Sequence, residues 1–295
     1  MYKGIGYKVY GEGNDIYLGD CLELYHPLIA RNSIDLILTD LPYGTTSCKW
    51  DSVLPLDKLW EMVNYLLKGN GTFITTASQP FTSVLVASNL ELFKYELIWH
   101  KSRKTGHVHA KNKPMKEHEN ILVFSKGTTV HATQSKNRMT YNPQGLIENT
   151  NKVNYRPSRE IKGSNVVAGH RPSHKNTLIS EYTNYPTSIK FVNSEHNVNA
   201  LHETQKPVEL MEYLIKTYSN EFDFVFDPCA GSGTVSIACE NTNRNHISFE
   251  KDPDMCKKAQ KRLSEHIKIR SGSTEYGVDC ETLANKDFPQ LLGDK

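Results

Sequence analysis

The stretch Phe224-Val-Phe-Asp-Pro-Cys-Ala-Gly-Ser-Gly-Thr234 restricts the possible folds more than any other part of this chain. It reads as an apolar strand, an acid at the strand tip, a tight Gly-x-Gly turn and a helix start. Open α/β sheets use this joint to present a ligand to the carboxyl ends of their strands. Gly231 and Gly233 let the backbone come close to a bound molecule. The next apolar run ends in Glu250, 23 residues after Asp227, the usual place for a carboxylate that takes ribose hydroxyls. Ser236 stands where a third fingerprint glycine would be, and no lysine follows the loop, so neither a dinucleotide fingerprint nor a phosphate-binding loop is complete. A glycine cap beside a surface acid would leave the same letters.

The rest of the chain supplies the alternation that such a sheet needs. Asp15 to Leu18, a helical pattern through Leu22, Leu24, Leu28 and Ile29, and the run Ile34 to Thr39 read as β-α-β. A helix over 56–67, a buried strand over 72–76, a helix over 81–88 and strands over 95–100 and 120–125 follow. A long polar connection joins the last two strands. Between about 125 and 202 periodicity fails, and Asn, Thr, Ser, Lys and scattered prolines indicate an irregular insertion. Order returns with a helix over 207–219, a strand over 222–226, helices from Thr234 and Pro253, and a strand over 247–249. The expected fold class is α/β, a doubly wound and mostly parallel sheet carrying an irregular insertion. The expected divisions are 1–127, 128–199, 200–270 and a tail over 271–295.

Composition narrows the function. Among 295 residues, 38% are hydrophobic and 23% charged, and no run approaches the roughly 18 apolar residues of a membrane span. The amino terminus lacks a signal-peptide apolar region, so a cytoplasmic protein with no membrane partner is expected. Six cysteines without a Cys-x-x-Cys pair point to neither a disulfide framework nor a zinc site, and His107 and His109 find no further ligands at metal spacing. No metal is expected. The net charge of +2 hides a segregation: between Trp99 and Ala200 there are 16 Lys and Arg against 6 Asp and Glu, with 8 of the 12 histidines. A surface that meets polyanions has this make-up, as does a solvated loop-rich insertion.

A second chemical signature lies near the start. The strand ending at Thr39 delivers Asp40-Leu-Pro-Tyr43, an acid, a rigid proline turn and an aromatic ring in four residues. The Asp40 carboxylate and the Leu41 carbonyl can each accept one hydrogen of an exocyclic amino group, while Tyr43 stacks on the ring that bears it. Held so, the nitrogen lone pair is drawn from conjugation toward an electrophile. Pro42 in an ordinary turn after a core strand explains the same four letters with less. At the other end of the chain, a pyrophosphate would sit poorly against Asp227, whereas a zwitterionic sulfonium ligand with an amino group suits that carboxylate. S-adenosylmethionine is such a ligand.

Together the two signatures resemble the amino-group DNA methyltransferases, in the class whose catalytic motif precedes the cofactor loop. The resemblance spans most of residues 14 to 265 through Gly19-Asp20-Cys21, Asp40-Leu-Pro-Tyr43, His118-Glu-Asn-Ile-Leu-Val-Phe-Ser125, Thr204-Gln-Lys-Pro-Val-Glu-Leu210 and Phe226 to Thr234. Leu41 departs from the family's usual second proline, which loosens the turn but spares a backbone role. The resemblance implies S-adenosylmethionine as cofactor, with Asp20 in Gly19-Asp20-Cys21 at the adenine, Glu250 at the ribose, and Asp227, Gly231 and Lys206, the last in the Thr204-Gln205-Lys206-Pro207 segment, at the methionine end; Cys21, Asp40 and Lys251 are further cofactor contacts. Asp227, Pro228, Cys229, Ala230, Gly231, Ser232, Gly233 and Thr234 form the loop beneath it. It implies Asp40, Leu41, Pro42 and Tyr43 as the catalytic turn and double-stranded DNA as partner. Lys101, Arg103, Lys104, Lys111, Lys113 and Lys116 are placed to grip phosphates while a base leaves the stack. Trp50 either walls the pocket or belongs to the core. N6 of adenine is the expected target because the cytosine-directed members more often carry Ser at the position of Asp40. N4 of cytosine and a turnover-deficient DNA-binding protein are the alternatives. A homodimer and a separate restriction endonuclease chain are left open as further partners.

Overall fold

The protein is described by a computed structural model over residues 14–44, 53–130, 135–149, 154–155, 178–179, 181–194 and 205–271. Thr204 and Trp50 lie outside these residues. Strand β1 (Asn14–Leu18) leads into helix α1 (Cys21–Leu28), which begins where the Asp20 carboxylate accepts the Leu22 amide at 2.9 Å. Then come β2 (Ile34–Thr39), α2 (Leu56–Leu66), β3 (Leu67–Ala77), α3 (Phe81–Ser88), β4 (Phe93–Thr105) and β5 (Lys116–Ser125). Beyond the short paired strands β6 (Ile147–Glu148), β7 (Asn154–Tyr155), β8 (Leu178–Ile179) and β9 (Tyr182–Thr183), the chain returns as β10 (Ile189–Val192) and α4 (Val208–Tyr218). It ends with β11 (Phe224–Asp227), α5 (Thr234–Thr242), β12 (Asn245–Glu250) and α6 (Pro253–Ser271).

Eight strands share one sheet in the order β1-β12-β11-β2-β3-β5-β4-β10. The pairs from β1 to β3 are parallel, β5 runs antiparallel to both of its neighbours, and β10 joins β4 in parallel. Both faces are covered, as a largely parallel sheet requires. In α2 the buried side chains are Leu59, Trp60, Met62, Val63 and Leu66, one stripe at helical spacing that packs on Phe73 and Phe124. On the opposite face α4 buries Leu210, Met211, Leu214, Ile215 and Tyr218 against Leu36, Leu38 and Val225. Each such buried aliphatic side chain contributes on the order of 2 kcal/mol. A register shift between Ile34 and Leu36 lets Ile34 serve the first face and Leu36 the second, an offset that simple alternation would not give.

Two features differ from the sequence expectations. The polar segment between β4 and β5 is not one long connection: residues 101–105 and 116–119 continue the strands, and a 3-10 turn over His107–His109 caps the hairpin. Alternation fails as a signal there because both strands leave the core and expose both faces. The region read as irregular also contains β10, short and half exposed, which adds an edge to the sheet. Residues Pro143–Thr187 form a compact unit of their own, within which Ile147–Glu148 pairs with Tyr182–Thr183. No helix among the described residues is long and apolar enough to cross a membrane.

Candidate active site at the carboxyl edge of the sheet

The direction of chain progression reverses between β11 and β2, and the crevice outside such a switch is where open α/β sheets bind ligands. β11 ends in Asp227 and β2 delivers Asp40 one residue past its end. The Asp227 side chain is buried and accepts the Cys229 amide at 3.0 Å. Burial pushes its carboxyl up to about 7; the Thr39 hydroxyl and the Cys229 amide pull against this, and the negative charges of Glu250 and Asp40 add to it. Among the described residues no cation is paired with this acid, so the fold holds a carboxylate that gains by receiving a positive group.

Around Asp227 the loop is shaped for close approach. Gly231 has φ +53° and its missing Cβ would meet nothing within 4 Å, so its backbone borders open space. Gly233, at φ +75°, starts α5; a Cβ there would come within 2.9 Å of Ile16, which explains why this position has no side chain. Glu250 accepts the Gly231 amide at 2.8 Å with one oxygen and the Asp252 amide at 2.8 Å with the other, and burial raises its carboxyl. The Gly19 amide donates to the Glu250 carbonyl at 2.8 Å, which ties the end of β1 to the end of β12. Asp20 therefore lies at the same edge, its carboxylate paired with the exposed Lys251 ammonium at 2.8 Å. Partial burial raises that carboxyl, but Lys251 and the Leu22 amide hold it below the ordinary value. Cys21 and Pro228 are buried; the Cys229 thiol, in contact with that of Cys21, is pushed up by this pairing and by burial. Ala230 is buried and its amide bonds the Phe249 carbonyl at 2.8 Å. Ser232 and Thr234 share a hydroxyl contact of 3.2 Å and both meet the Arg262 guanidinium, which fastens the loop to α6. Sequence reasoning missed Arg262, since an arginine on an amphipathic helix gives no sign of where it reaches.

The turn Asp40 to Tyr43 is a second cluster. Tyr43 hydroxyl, Thr76 hydroxyl and Asp40 Oδ1 form a triangle, with Tyr43 Oη 2.7 Å from Asp40 and 2.8 Å from Thr76; the Thr76 hydroxyl also donates to Asp40. The Tyr43 ring stacks on Phe81 at 5.6 Å, and burial followed by the Asp40 and Glu119 charges pushes its hydroxyl well above the usual tyrosine value. Leu41 is buried, its amide 3.5 Å from Thr75 Oγ1, and Pro42 is half-buried. The other oxygen of Asp40, Oδ2, meets Lys206 Nζ at 2.8 Å. Lys206, between Gln205 and the Pro207 that precedes α4, is itself buried and reaches Glu119 at 3.3 Å. The sequence reading set Lys206 beside the methionine end of a cofactor; its ammonium here lies between two carboxylates on the catalytic side. Glu119, within the matched run His118 to Ser125, and Thr76, at the end of a buried strand, were given no role at the site by that reading. Glu119 had a visible signal, an acid heading an otherwise apolar strand run.

The five lysines and one arginine assigned to phosphate contact divide into two groups. Lys101 is mostly buried, its ammonium 2.7 Å from Glu119, and Lys116 bonds Ser78. Arg103, Lys104, Lys111 and Lys113 are exposed on the β4–β5 hairpin, with Lys104 also 3.2 Å from Glu117. No group of three or more potential metal ligands occurs among the described residues.

The family model described as DNA methylase matches residues 34–261. The chain is similar to the DNA adenine methyltransferase YhdJ of Escherichia coli strain K12, 25% identical over 264 residues that cover 85% of this chain and 83% of the relative. Among solved structures it is similar to the M1.HpyAVI–SAM complex, with a TM-score of 0.53 and 21% identity over 84% of this chain and 98% of that one. It is also similar to the cytosine-N4-specific PvuII DNA methyltransferase, with a TM-score of 0.59 and 16% identity over 92% of this chain and 98% of that one.

Proposed function

This chain belongs to the N6/N4 DNA methylase family, and from that premise we propose that it carries a methyl group from S-adenosylmethionine to the N6 amino group of an adenine flipped out of double-stranded DNA. The observation that carries this reading is the meeting of two acids at the strand switch: Asp40 is near enough that its charge helps raise the buried Asp227. The residues at the edge suit the cofactor. Asp227 offers a carboxylate with no paired cation among the described residues, Gly231 borders open space, and Asp20 and Glu250 are acceptors at the ends of two adjoining strands. When bound, S-adenosylmethionine supplies an electrophilic methyl group on a sulfonium.

The chain's own residues prepare the nucleophile. Asp40 Oδ2 is taken by an ammonium, whereas Oδ1 is held by two neutral hydroxyls. A base amino group can replace a hydroxyl on Oδ1 donor for donor, at little net cost. The Leu41 carbonyl then takes the second hydrogen, and the lone pair points away from the ring. Released from Asp40, Tyr43 lies against the base with Phe81 behind it. Transfer would break the methyl–sulfur bond, its electron pair leaving with the neutral thioether S-adenosylhomocysteine, while the amino nitrogen that gains the methyl sheds a proton for which Asp40 Oδ1 is the base in hydrogen-bond reach. Adenine is preferred over cytosine because the Asp form of the turn goes with adenine more often in this family, and an adenine-directed relative matches most of the chain. The fold is shared with a cytosine-N4 enzyme and does not separate the two bases. Arg103, Lys104, Lys111 and Lys113 grip phosphates, and residues 128–199 read the target sequence.

The test is Asp40→Asn. Methyl transfer from labelled S-adenosylmethionine to phage DNA grown without methylation should fall by about 100-fold or more, while cofactor affinity stays within a few-fold. Near-normal turnover would remove Asp40 from the chemistry.

A further inference from the structure

We propose that Glu119 is a positioning residue for methyl transfer: it anchors the Lys206 ammonium so that Lys206 holds Asp40 Oδ2 and leaves Oδ1 as the exchangeable oxygen. The inference rests on the catalytic reading of Asp40 and adds to it a residue that touches neither base nor cofactor.

The geometry is a chain of alternating charges, Asp40 to Lys206 at 2.8 Å, Lys206 to Glu119 at 3.3 Å and Glu119 to Lys101 at 2.7 Å. Four elements contribute: the end of β2, the entry to α4, β5 and β4. Lys206, Glu119 and Lys101 have side chains only 9%, 13% and 11% exposed, so their charges are weakly screened, while Asp40 at 31% stays open toward the crevice. A single buried ion pair between Asp40 and Lys206 would leave the lysine free to swing and to lose its proton. With Glu119 behind it the ammonium stands between two fixed carboxylates, and Lys101 balances the second acid. Removal of one member of such a buried set strands the others.

Electrostatics follow the same pattern. Burial would push Lys206 down, but Asp40 and Glu119 together hold it above the ordinary lysine value. Burial would push Glu119 up, but Lys206 and Lys101 hold it below the ordinary carboxylate value. The groups that face Lys206 are Asp40 and Tyr43 from the catalytic turn, Glu119 and Lys116 from β5, and, through Glu119, Lys101 from β4. Loss of the Glu119 charge therefore lowers the pH at which Lys206 deprotonates, and loss of the Lys101 charge raises it.

These opposite signs give the experiment. Single-turnover methyl transfer is followed across pH with the full chain, labelled S-adenosylmethionine and unmethylated phage DNA, alongside cofactor and DNA affinities. For Glu119→Gln the rate should fall about tenfold or more, the loss expected when one charge of a buried ion-pair set is removed, with affinities within a few-fold and the alkaline limb moved to lower pH. Glu119→Asp should recover part of the rate. Lys101→Met should move the alkaline limb to higher pH, and it carries the test alone if Glu119→Gln does not fold. An unmoved limb in both variants, or a Glu119→Gln rate within twofold of the parent, overturns the proposal. An active parent with an inert Glu119→Gln effect leaves the Asp40 reading standing; full turnover by Asp40→Asn defeats that reading first.

Discussion

Asp227 carries the clearest energetic signature of a ligand site. A carboxyl whose folded value lies near 7, well above the ordinary 3.8, binds its proton more tightly in the folded state than in the unfolded one. Its effect on stability is therefore absent below about pH 4 and becomes an increasing penalty as pH rises toward 7. The ligand-free protein should melt at lower temperature at pH 8 than at pH 5.5. Asp227→Asn should remove that part of the pH dependence, raise ligand-free stability at pH 8 by about 1–3 kcal/mol and weaken S-adenosylmethionine binding at least tenfold. A variant with unchanged pH dependence of melting would show that Asp227 ionises without strain. At this scale the sequence marked candidate residues for chemistry but not which of them touch. Asp40 and Lys206 each stood in a recognisable motif, yet their pairing comes from β2 meeting the entry to α4, a contact that spacing does not encode. Thr76 was invisible because a threonine in a buried strand reads as a core residue.

Among the elements, the β4–β5 hairpin couples the site to the basic surface. Its base holds Lys101 and Glu119 inside the ion chain and its tip carries Arg103, Lys104, Lys111 and Lys113 in solvent. If the tip cations meet phosphates, each contributes released counterions. Glutamate at all four positions should weaken DNA binding at low salt, flatten the dependence of affinity on salt and act alike on all sequences, with cofactor affinity unchanged. Fluorescence anisotropy with a labelled duplex at several salt concentrations measures this; an unaltered salt slope would place the DNA elsewhere. The core strands and helices were legible because each has an apolar stripe with one period. The hairpin extensions and β10 were not, because a strand that stands partly clear of the core has no apolar face to betray it.

Across the whole molecule, the sheet edge proposed for the cofactor is assembled from segments far apart in the chain. β1 pairs with β12, and Gly19 bonds Glu250, so a site begun at Asp20 is finished more than two hundred residues later. This closure was readable only because the order of motifs resembled a known arrangement; composition and periodicity alone gave two unrelated loops. Family membership and the joint geometry of Asp40 and Asp227 make DNA amino-group methylation the central claim, with adenine as the base. The most direct measurement is digestion to nucleosides of unmethylated phage DNA treated with the full chain and labelled S-adenosylmethionine. Label in N6-methyladenine is the predicted result. Label in N4-methylcytosine alone would overturn the assignment of the base, and no label in any amino-methylated nucleoside, from protein that binds the cofactor, would contradict the account at its centre.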